Sequence, residues 1–338
     1  MKTLSEMKIS VIVPVLNEGN TICALLDGLC GQTRRPDEIV ITDGGSTDNT
    51  AELVEAYDGN GVKIRLFREL AALPGRGRNI GTANAENDWI AFIDAGIRPD
   101  PRWLEYLESA ALADPELEVV YGSWEPVTDT FFKECAAISY VPPPNSLHGK
   151  SMRPHSIASC LIQRRVWRLV GGFPEHLRSA EDLLFMNEVE RAGVSIGHAE
   201  LAMVRWDLKD AIYPTFLRFI TYSRNNIRAG LWKHWQRAIF RRYLFLAVAA
   251  ILAIASGWRW LAVPMLFWTA LLFLRAIVAI RRNLDAYPAN IGRNILRLFL
   301  LVPILAVLDA AAIIGAMIWL FKDKFSSDAA LTGAKNGA

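Results

Sequence analysis

Carboxylates follow two apolar segments of this chain, and a third acidic pair opens a helical segment farther on. Asp43 comes directly after the segment 38–42, and Asp94 comes at the end of a second apolar segment. Glu181 and Asp182 follow later in the chain. The carboxyl ends of parallel strands meet at one edge of a sheet, where ligands bind in alternating α/β proteins. The sequence therefore predicts a ligand site at that edge, with a carboxylate available as a general base.

Each of these acidic residues also has a purely structural interpretation. Asp43 precedes two glycines, and Asp94 lies two residues before Gly96, so either could simply form a turn or a helix cap. Glu181 and Asp182 could be first-turn residues that the helix dipole stabilises. The order of all three groups favours the functional interpretation.

The surrounding segments alternate between strand and helix patterns. Apolar runs predict strands at 8–13, 38–42, 62–67, 89–93, 119–121 and 157–163. Helical patterns lie between them at about 17–31, 46–57 and 77–85, and again at 182–192, with Ser46 or Thr47 able to cap the second. This alternation predicts an α/β fold with a doubly wound, mostly parallel sheet. The pattern lapses over 123–156, where a proline-rich loop begins at Pro142.

Five short motifs, in this order, resemble those of an inverting family-2 glycosyltransferase with the GT-A fold. They are Val11-Ile12-Val13-Pro14-Val15-Leu16-Asn17-Glu18, Asp43-Gly44-Gly45-Ser46-Thr47-Asp48-Asn49-Thr50, Gly77-Arg78-Asn79, Asp94-Ala95-Gly96, and Gly171-Gly172-Phe173-Pro174-Glu175 with Glu181-Asp182. Each motif alone is a weak signal, but five in sequence are specific. The resemblance runs from residue 8 to about 206.

The resemblance implies a nucleotide-sugar donor, usually a uridine diphosphate sugar, and a role for each matching residue. Asp182 would be the catalytic base, with Glu181 beside it. The nucleoside would contact the loop after the first strand and Asp43, and Arg78 would lie near the phosphates. The candidate substrate-binding residues are Pro14, Val15, Asn17, Glu18, Asp43, Gly44, Arg78, Asn79, Asp94, Ala95 and Glu181.

A divalent metal is also implied, because Asp94 stands at the start of the family's D-x-D motif. Oxygen ligands of this kind suit Mg²⁺ or Mn²⁺. Gly96 occupies the place of the second aspartate. We therefore expect Asp94 to bind the metal weakly by itself, or through water.

From about residue 211 the composition changes. The segment 211–242 is basic and aromatic without acidic residues, and 243–325 is largely apolar. The apolar stretch makes an anionic membrane surface a better partner than nucleic acid. We expect about three transmembrane helices, with 298–321 either crossing or re-entrant, and a disordered tail at 326–338. Paired arginines at 241–242 and 281–282 would place the first domain on the cytoplasmic side of the inner membrane.

Two classes of function fit these features. The first is a membrane-bound enzyme that transfers a sugar to a hydroxyl of a lipid-linked or membrane-proximal glycan, or directly to a polyprenyl phosphate. An acidic pair beside a glycine loop favours the hydroxyl acceptor, which needs a base. The second is a non-catalytic membrane scaffold, which only Gly96 supports. His155 is a weak candidate for the acceptor site, and the oligomeric state does not follow from the sequence.

Overall fold

The computed structural model of the protein describes residues 7–143 and 153–324. Their contacts divide the chain into two compact units. The sheet unit contains residues 7–127 and 154–207, and the helical unit contains residues 128–143, 153 and 208–324. Most of the predicted proline-rich loop and the predicted disordered tail lie outside the described residues.

The sheet unit is built on one mixed sheet. Its eight described strands are β1 (Ile9–Val15), β2 (Glu38–Asp43), β3 (Lys63–Arg68), β4 (Trp89–Phe92), β5 (Ile97–Pro99), β6 (Val119–Val127), β7 (Cys160–Gln163) and β8 (Ile196–Asp207). Their order is β3-β2-β1-β4-β7-β6-β8-β5. Strands β3, β2, β1 and β4 pair in parallel, as do β6 and β8, whereas β7 pairs antiparallel with β4 and β6, and β5 with β8. The predicted mostly parallel α/β sheet is confirmed.

Helices cover both faces of this sheet. They are α1 (Ile22–Cys30), α2 (Thr50–Glu55), α3 (Pro74–Asn84), α4 (Trp103–Ala113), α6 (Arg164–Leu169) and α7 (Glu181–Arg191). The helix between α4 and α6, α5 (Phe131–Tyr140), belongs to the helical unit instead. Along β1, Val11 and Val13 pack towards α1 and α4, while Ile12 packs with the cluster around α7. This alternation is the period of two expected of a strand buried on both faces.

Three features of the sheet unit differ from the sequence prediction. β5 is only three residues long, too short for a pattern to indicate it. The predicted strand 157–163 begins with a single 3₁₀ turn, Ile157–Ser159, because Ser156 caps that turn. α2 starts at Thr50, later than predicted, because the Ser46 and Thr47 hydroxyls bond Asp43 and Asn17 instead of capping it.

The helical unit adds five helices to α5 among the described residues: α8 (Ile212–Arg228), α9 (Trp232–Trp235), α10 (Arg237–Ser256), α11 (Ala262–Arg282) and α12 (Ile291–Ile318). Three helical stretches, Arg237–Ser256, Trp258–Arg282 and Ile291–Lys324, are long and apolar enough to cross a membrane. α12 begins at Ile291, before the apolar segment 298–321 that the sequence analysis delimited. Asn290 caps that helix by accepting a hydrogen bond from the Arg293 N–H at 2.8 Å.

α5 packs inside the helical unit although it lies between β6 and β7 in the sequence. Cys135 and Ile138 of α5 share an apolar cluster with side chains of α11 and α12. Glu134 forms ion pairs with two arginines of α12, Arg293 and the buried Arg297, whose Nε lies 2.6 Å from Glu134 Oε1. The segment where the sequence pattern lapses is thus held by apolar contacts and charge pairs with residues more than 130 positions away.

Candidate active site

The loops after β1 and β2 are joined by hydrogen bonds at the carboxyl edge of the sheet. The Asn17 N–H donates to Ser46 Oγ at 2.8 Å, and Asn17 Oδ1 accepts from the Thr47 N–H at 2.8 Å. The Glu18 N–H donates to Thr50 Oγ1 at 2.8 Å. Asn17 adopts a left-handed backbone conformation with φ of 56°, which asparagine tolerates better than most residues. The two predicted nucleoside loops therefore form one surface.

Asp43 lies at the base of this surface and is almost fully buried. Its Oδ1 accepts hydrogen bonds from the Ser46 N–H at 3.0 Å and the Ser46 hydroxyl at 2.6 Å. Gly44 follows it, and its N–H donates to the carbonyl of Val15 at 2.9 Å. Within the described residues these bonds use one carboxylate oxygen of Asp43, which leaves the other for a ligand.

Arg78 of α3 connects the second and third acidic groups. It is 3% exposed, and its Nη2 lies 2.5 Å from Asp94 Oδ1 while its Nη1 lies 2.8 Å from Glu181 Oε1. The guanidinium also lies over the Phe173 ring, 5.3 Å from its centroid. Burial lowers the pKa of Arg78, but Asp94, Glu181 and Asp182 together raise it by more, so the side chain stays charged. Its role in this structure is to hold carboxylates in place.

Asn79 holds the glycine loop that precedes α7. Its Nδ2 donates to the Phe173 carbonyl at 2.9 Å and to Glu175 Oε1 at 3.0 Å. Its Oδ1 accepts from the Phe173 N–H at 2.8 Å and from Trp167 Nε1 at 3.0 Å. With both ends of the amide engaged, Asn79 shapes the site by positioning this loop.

The turn Asp94-Ala95-Gly96 explains the missing second aspartate. Gly96 has φ of 76°, a left-handed conformation in which a side chain is strained. A Cβ at this position would lie 3.7 Å from Glu18 Oε2, so a carboxylate there would face another carboxylate. Asp94 itself is 38% exposed on its side chain, and only its Oδ1 bonds Arg78. Its second oxygen is therefore available to a cation.

Asp182 lies in the first turn of α7, next to Glu181. The carboxylate Oδ1 accepts a hydrogen bond from the Leu183 N–H at 2.9 Å. Burial, reinforced by the negative charge of Glu181 and opposed by Arg78, raises the pKa of the Asp182 carboxyl to about 7. A general base works best when its pKa lies near the operating pH, so these surroundings suit proton abstraction.

The structure joins the predicted residues into two groups. Pro14, Val15 and Asp43 end strands β1 and β2, and Asn17, Glu18 and Gly44 lie in the joined loops that follow. Asp94, Glu181 and Asp182 lie around Arg78, and Ala95 follows Asp94 in its turn. The two groups approach each other at Gly77, which precedes Arg78 and packs closely against Pro14. A Cβ at position 77 would lie 3.0 Å from Pro14 Cβ. The sequence analysis did not assign a site role to Ser46 or Phe173, although both lie within its motifs, because their importance depends on their contacts with Asp43 and Arg78.

Two other aromatic pairs lie outside this constellation. The His155 ring stacks on Tyr121 with a centroid separation of 4.4 Å, and His198 lies 5.9 Å from His155. The Trp206 ring meets Trp124 edge-on, with a centroid separation of 6.0 Å. Both pairs are built on the β6 and β8 region of the sheet.

Comparison with known proteins relates this chain to glycosyltransferases. Residues 10–159 match the family model Glycosyl transferase family 2. The chain is 36% identical over 110 residues to the uncharacterized glycosyltransferase YibD of Escherichia coli, and the match covers 32% of each protein. It is 28% identical over 280 residues to the succinoglycan biosynthesis protein ExoA of Rhizobium meliloti, covering 77% of this chain and 82% of ExoA.

A solved structure supports the fold. The mannosyltransferase PcManGT from Pyrobaculum calidifontis, in complex with GDP-Man and Mn²⁺, superposes with a TM-score of 0.55 and 20% identity. The superposition covers 94% of this chain and 89% of PcManGT. At this level of identity the likeness concerns the fold. The GT-A architecture predicted from the motifs is therefore confirmed.

Proposed function

Because this chain is a member of glycosyl transferase family 2, we propose that it is a membrane-bound inverting glycosyltransferase. It moves a sugar from a nucleoside diphosphate, which we propose is UDP, to a hydroxyl of a lipid-linked or membrane-proximal glycan. The observation that carries this proposal is Asp182, a carboxylate with a pKa near 7 beside the ion pairs of Arg78 with Asp94 and Glu181. Similarity to ExoA, a succinoglycan biosynthesis protein, supports a glycan product.

The reaction needs one displacement at the anomeric carbon. The acceptor oxygen forms a bond to that carbon while the bond to the donor diphosphate breaks, and the diphosphate leaves with the electron pair. Asp182 takes the proton from the attacking hydroxyl. Glu181 and Arg78 keep Asp182 in position and keep its pKa near the working pH.

The charge around Arg78 favours a bound cation. One guanidinium faces three carboxylates, of Asp94, Glu181 and Asp182, so the cluster carries excess negative charge that would repel a diphosphate. Among the described residues no three metal-ligating side chains converge. Asp94 with its exposed oxygen fits a Mn²⁺ or Mg²⁺ ion that the donor phosphates help to hold, and the ion would stabilise the leaving group's charge.

A polyprenyl phosphate acceptor is the alternative within this class. Its phosphate is already an anion and needs no base, so Asp182 would then be dispensable. The third possibility, a non-catalytic scaffold, predicts no turnover with any donor. The left-handed backbone at Gly96 weakens the scaffold argument. Glycine is favoured there by its conformation, so its presence need not reflect lost activity.

The decisive experiment is an assay of membranes containing the full chain with a panel of radiolabelled nucleotide sugars. Transfer of label to lipid-extractable or polymeric material, lost with Asp182→Asn, supports the hydroxyl-acceptor enzyme. Transfer that survives Asp182→Asn points to the polyprenyl phosphate acceptor. We also expect the chain to sediment with membranes after an alkaline wash, because three of its helices are long and apolar enough to span.

Asp43→Ala is expected to weaken UDP binding by about tenfold to a hundredfold, the range for losing a hydrogen bond to a charged group. Isothermal titration calorimetry of the purified chain with UDP measures it. Asp88→Ala is the matched control. Asp88 precedes β4, so it lies at the end of that strand opposite to Asp94 and the candidate site, and its side chain is 90% exposed. Unchanged affinity in Asp43→Ala would place the nucleoside elsewhere.

Metal and UDP are expected to strengthen each other's binding, because the phosphates complete an oxygen shell that Asp94 alone cannot. Titrating UDP with and without Mn²⁺ should show the coupling in the natural protein and no coupling in Asp94→Ala. Asp100→Ala should behave like the natural protein, since Asp100 pairs with Arg205 at 3.2 Å outside this cluster. Full transfer activity in excess chelator would contradict a metal-assisted reaction.

A further inference from the structure

A second buried ion cluster lies in the helical unit, centred on Asp309 of α12. Asp309 is 1% exposed. Arg275 of α11 contacts both of its oxygens, at 2.6 Å and 3.1 Å. Arg242 of α10 contacts Asp309 Oδ2 through Nη1 at 2.9 Å, and the Tyr243 hydroxyl donates to the same oxygen at 3.3 Å. Three apolar helices therefore meet at one carboxylate.

This cluster carries one more positive than negative charge. Two guanidiniums face a single carboxylate, and Tyr243 also accepts a hydrogen bond from Trp268 Nε1 at 3.0 Å. Arg275 donates hydrogen bonds to Asp309 from two nitrogens, whereas among the described residues Arg242 donates only from Nη1. An uncompensated charge among apolar helices is costly, so the cluster favours an additional anion.

The arginines remain partly accessible. The side chains of Arg242 and Arg275 are 21% and 25% exposed, although the carboxylate between them is covered. Arginine presents planar, forked donors that match phosphate oxygens. An anion could therefore reach Arg242 Nε and Nη2 without displacing Asp309.

The exposed surfaces of the helices that carry these arginines are apolar. On α10, Leu244, Phe245 and Val248 are exposed, and on α11 so are Phe267 and Leu274. Apolar helix surfaces that also carry a cationic pair suit a ligand with an anionic head and a hydrocarbon tail. A free inorganic anion would make no use of these side chains.

We propose that Arg242 and Arg275 bind the phosphate of a membrane lipid, with Asp309 fixing both guanidiniums. This proposal rests on the membrane location proposed above and does not depend on sugar transfer. The lipid is either the phosphate-bearing carrier of the acceptor or a bulk anionic phospholipid. These two sources present the same chemistry to the arginines.

The test is native mass spectrometry of the full chain purified in detergent. The probes are a polyprenyl phosphate, phosphatidylglycerol, phosphatidylcholine and inorganic phosphate. We expect both anionic lipids to bind more tightly than phosphatidylcholine. Competition between them identifies the source: displacement of phosphatidylglycerol by equimolar polyprenyl phosphate indicates the carrier, and retention of phosphatidylglycerol indicates bulk phospholipid.

Arg242→Gln is the informative variant, because Asp309 keeps its two-point contact with Arg275 and the fold is expected to persist. We expect its affinity for the preferred anionic lipid to fall about tenfold to a hundredfold. Arg281→Gln, at an exposed position near the end of α11, removes the same charge and should leave binding unchanged.

Asp309→Asn separates a binding site from a structural ion cluster. It keeps one oxygen that can accept from the guanidiniums and removes the competing negative charge, so a lipid-phosphate site should bind at least as tightly. The proposal is overturned if Arg242→Gln binds the lipid like the natural protein, or if Arg281→Gln loses as much affinity as Arg242→Gln. It is also overturned if Asp309→Asn abolishes binding while remaining folded by circular dichroism, or if inorganic phosphate competes as well as lipid. None of these readouts uses sugar transfer, so an inactive enzyme would not be mistaken for an empty site.

Discussion

Asp182→Asn is expected to reduce sugar transfer by about 10²–10⁴-fold, the usual contribution of a positioned general base. Asparagine has a similar shape and can still accept the Leu183 N–H, so the start of α7 should be preserved. Donor binding should change little, because the role we propose for Asp182 is to take the acceptor's proton and not to bind the nucleoside. Initial rates with labelled donor, beside UDP calorimetry, distinguish lost chemistry from lost binding. Near-natural turnover with a hydroxyl acceptor would refute the assignment.

The same carboxyl makes activity and stability respond to pH in opposite directions. With a pKa of about 7, Asp182 ionises as the pH rises through neutrality, so kcat/KM should rise over that range in the natural protein. An unfolded aspartate has a pKa of about 3.9, so the folded state binds the extra proton between about pH 4 and 7. Asp182 therefore costs increasing stability across that window as the pH rises. We expect Asp182→Asn to melt at a higher temperature than the natural protein at pH 8, with little difference at pH 4.

Arg78→Met is expected to destabilise the fold by about 3–5 kcal/mol, the cost of removing one partner from a buried ion pair. Glu181 would keep its buried charge without the Nη1 contact at 2.8 Å. Arg76→Met is the matched control. Arg76 lies two residues earlier on α3, but its side chain is 45% exposed in its ion pairs with Glu69 and Glu175. Its loss should therefore change stability little. Denaturant or thermal unfolding of the detergent-solubilised chain measures the difference.

Two further readouts show whether Arg78 acts as a positioning residue. Arg78 lowers the pKa of Asp182, so any active fraction of Arg78→Met should have its pH profile shifted upward, while Arg76→Met should not. Adding Glu181→Met to Arg78→Met removes the orphaned charge and should recover part of the stability. If Arg78→Met were as stable as Arg76→Met, with an unshifted profile, the buried network would have no such role.

Local patterns in the sequence were sufficient for the core of the fold. Apolar runs marked β1, β2 and β4 because both faces of these strands are buried. The same runs placed Asp43 and Asp94 at strand ends, which put them on one sheet edge. Motif order then led to the family, which the match over residues 10–159 supports.

Contacts between distant residues could not be predicted in this way. Arg78 and Glu181 are 103 positions apart, and an arginine on a helix looks solvated until its partners are known. Nothing in the sequence indicates that Arg242 contacts Asp309, 67 positions away. Long-range charge pairs leave no periodic signal, so the roles of such residues depend on the three-dimensional structure.

The position of α5 limits how this protein can be divided. The chain leaves the sheet unit after β6, contributes α5 to the helical unit, and returns as β7 before leaving again after β8. A single cut near residue 208 would leave Cys135 and Ile138 without the α11 and α12 side chains that cover them. To isolate the sheet unit, one would therefore have to remove two segments. The residues after 207 would be deleted, and 128–153 would be replaced by a short linker. Recombination between relatives would likewise have to exchange both segments together for the helical unit to keep its packing.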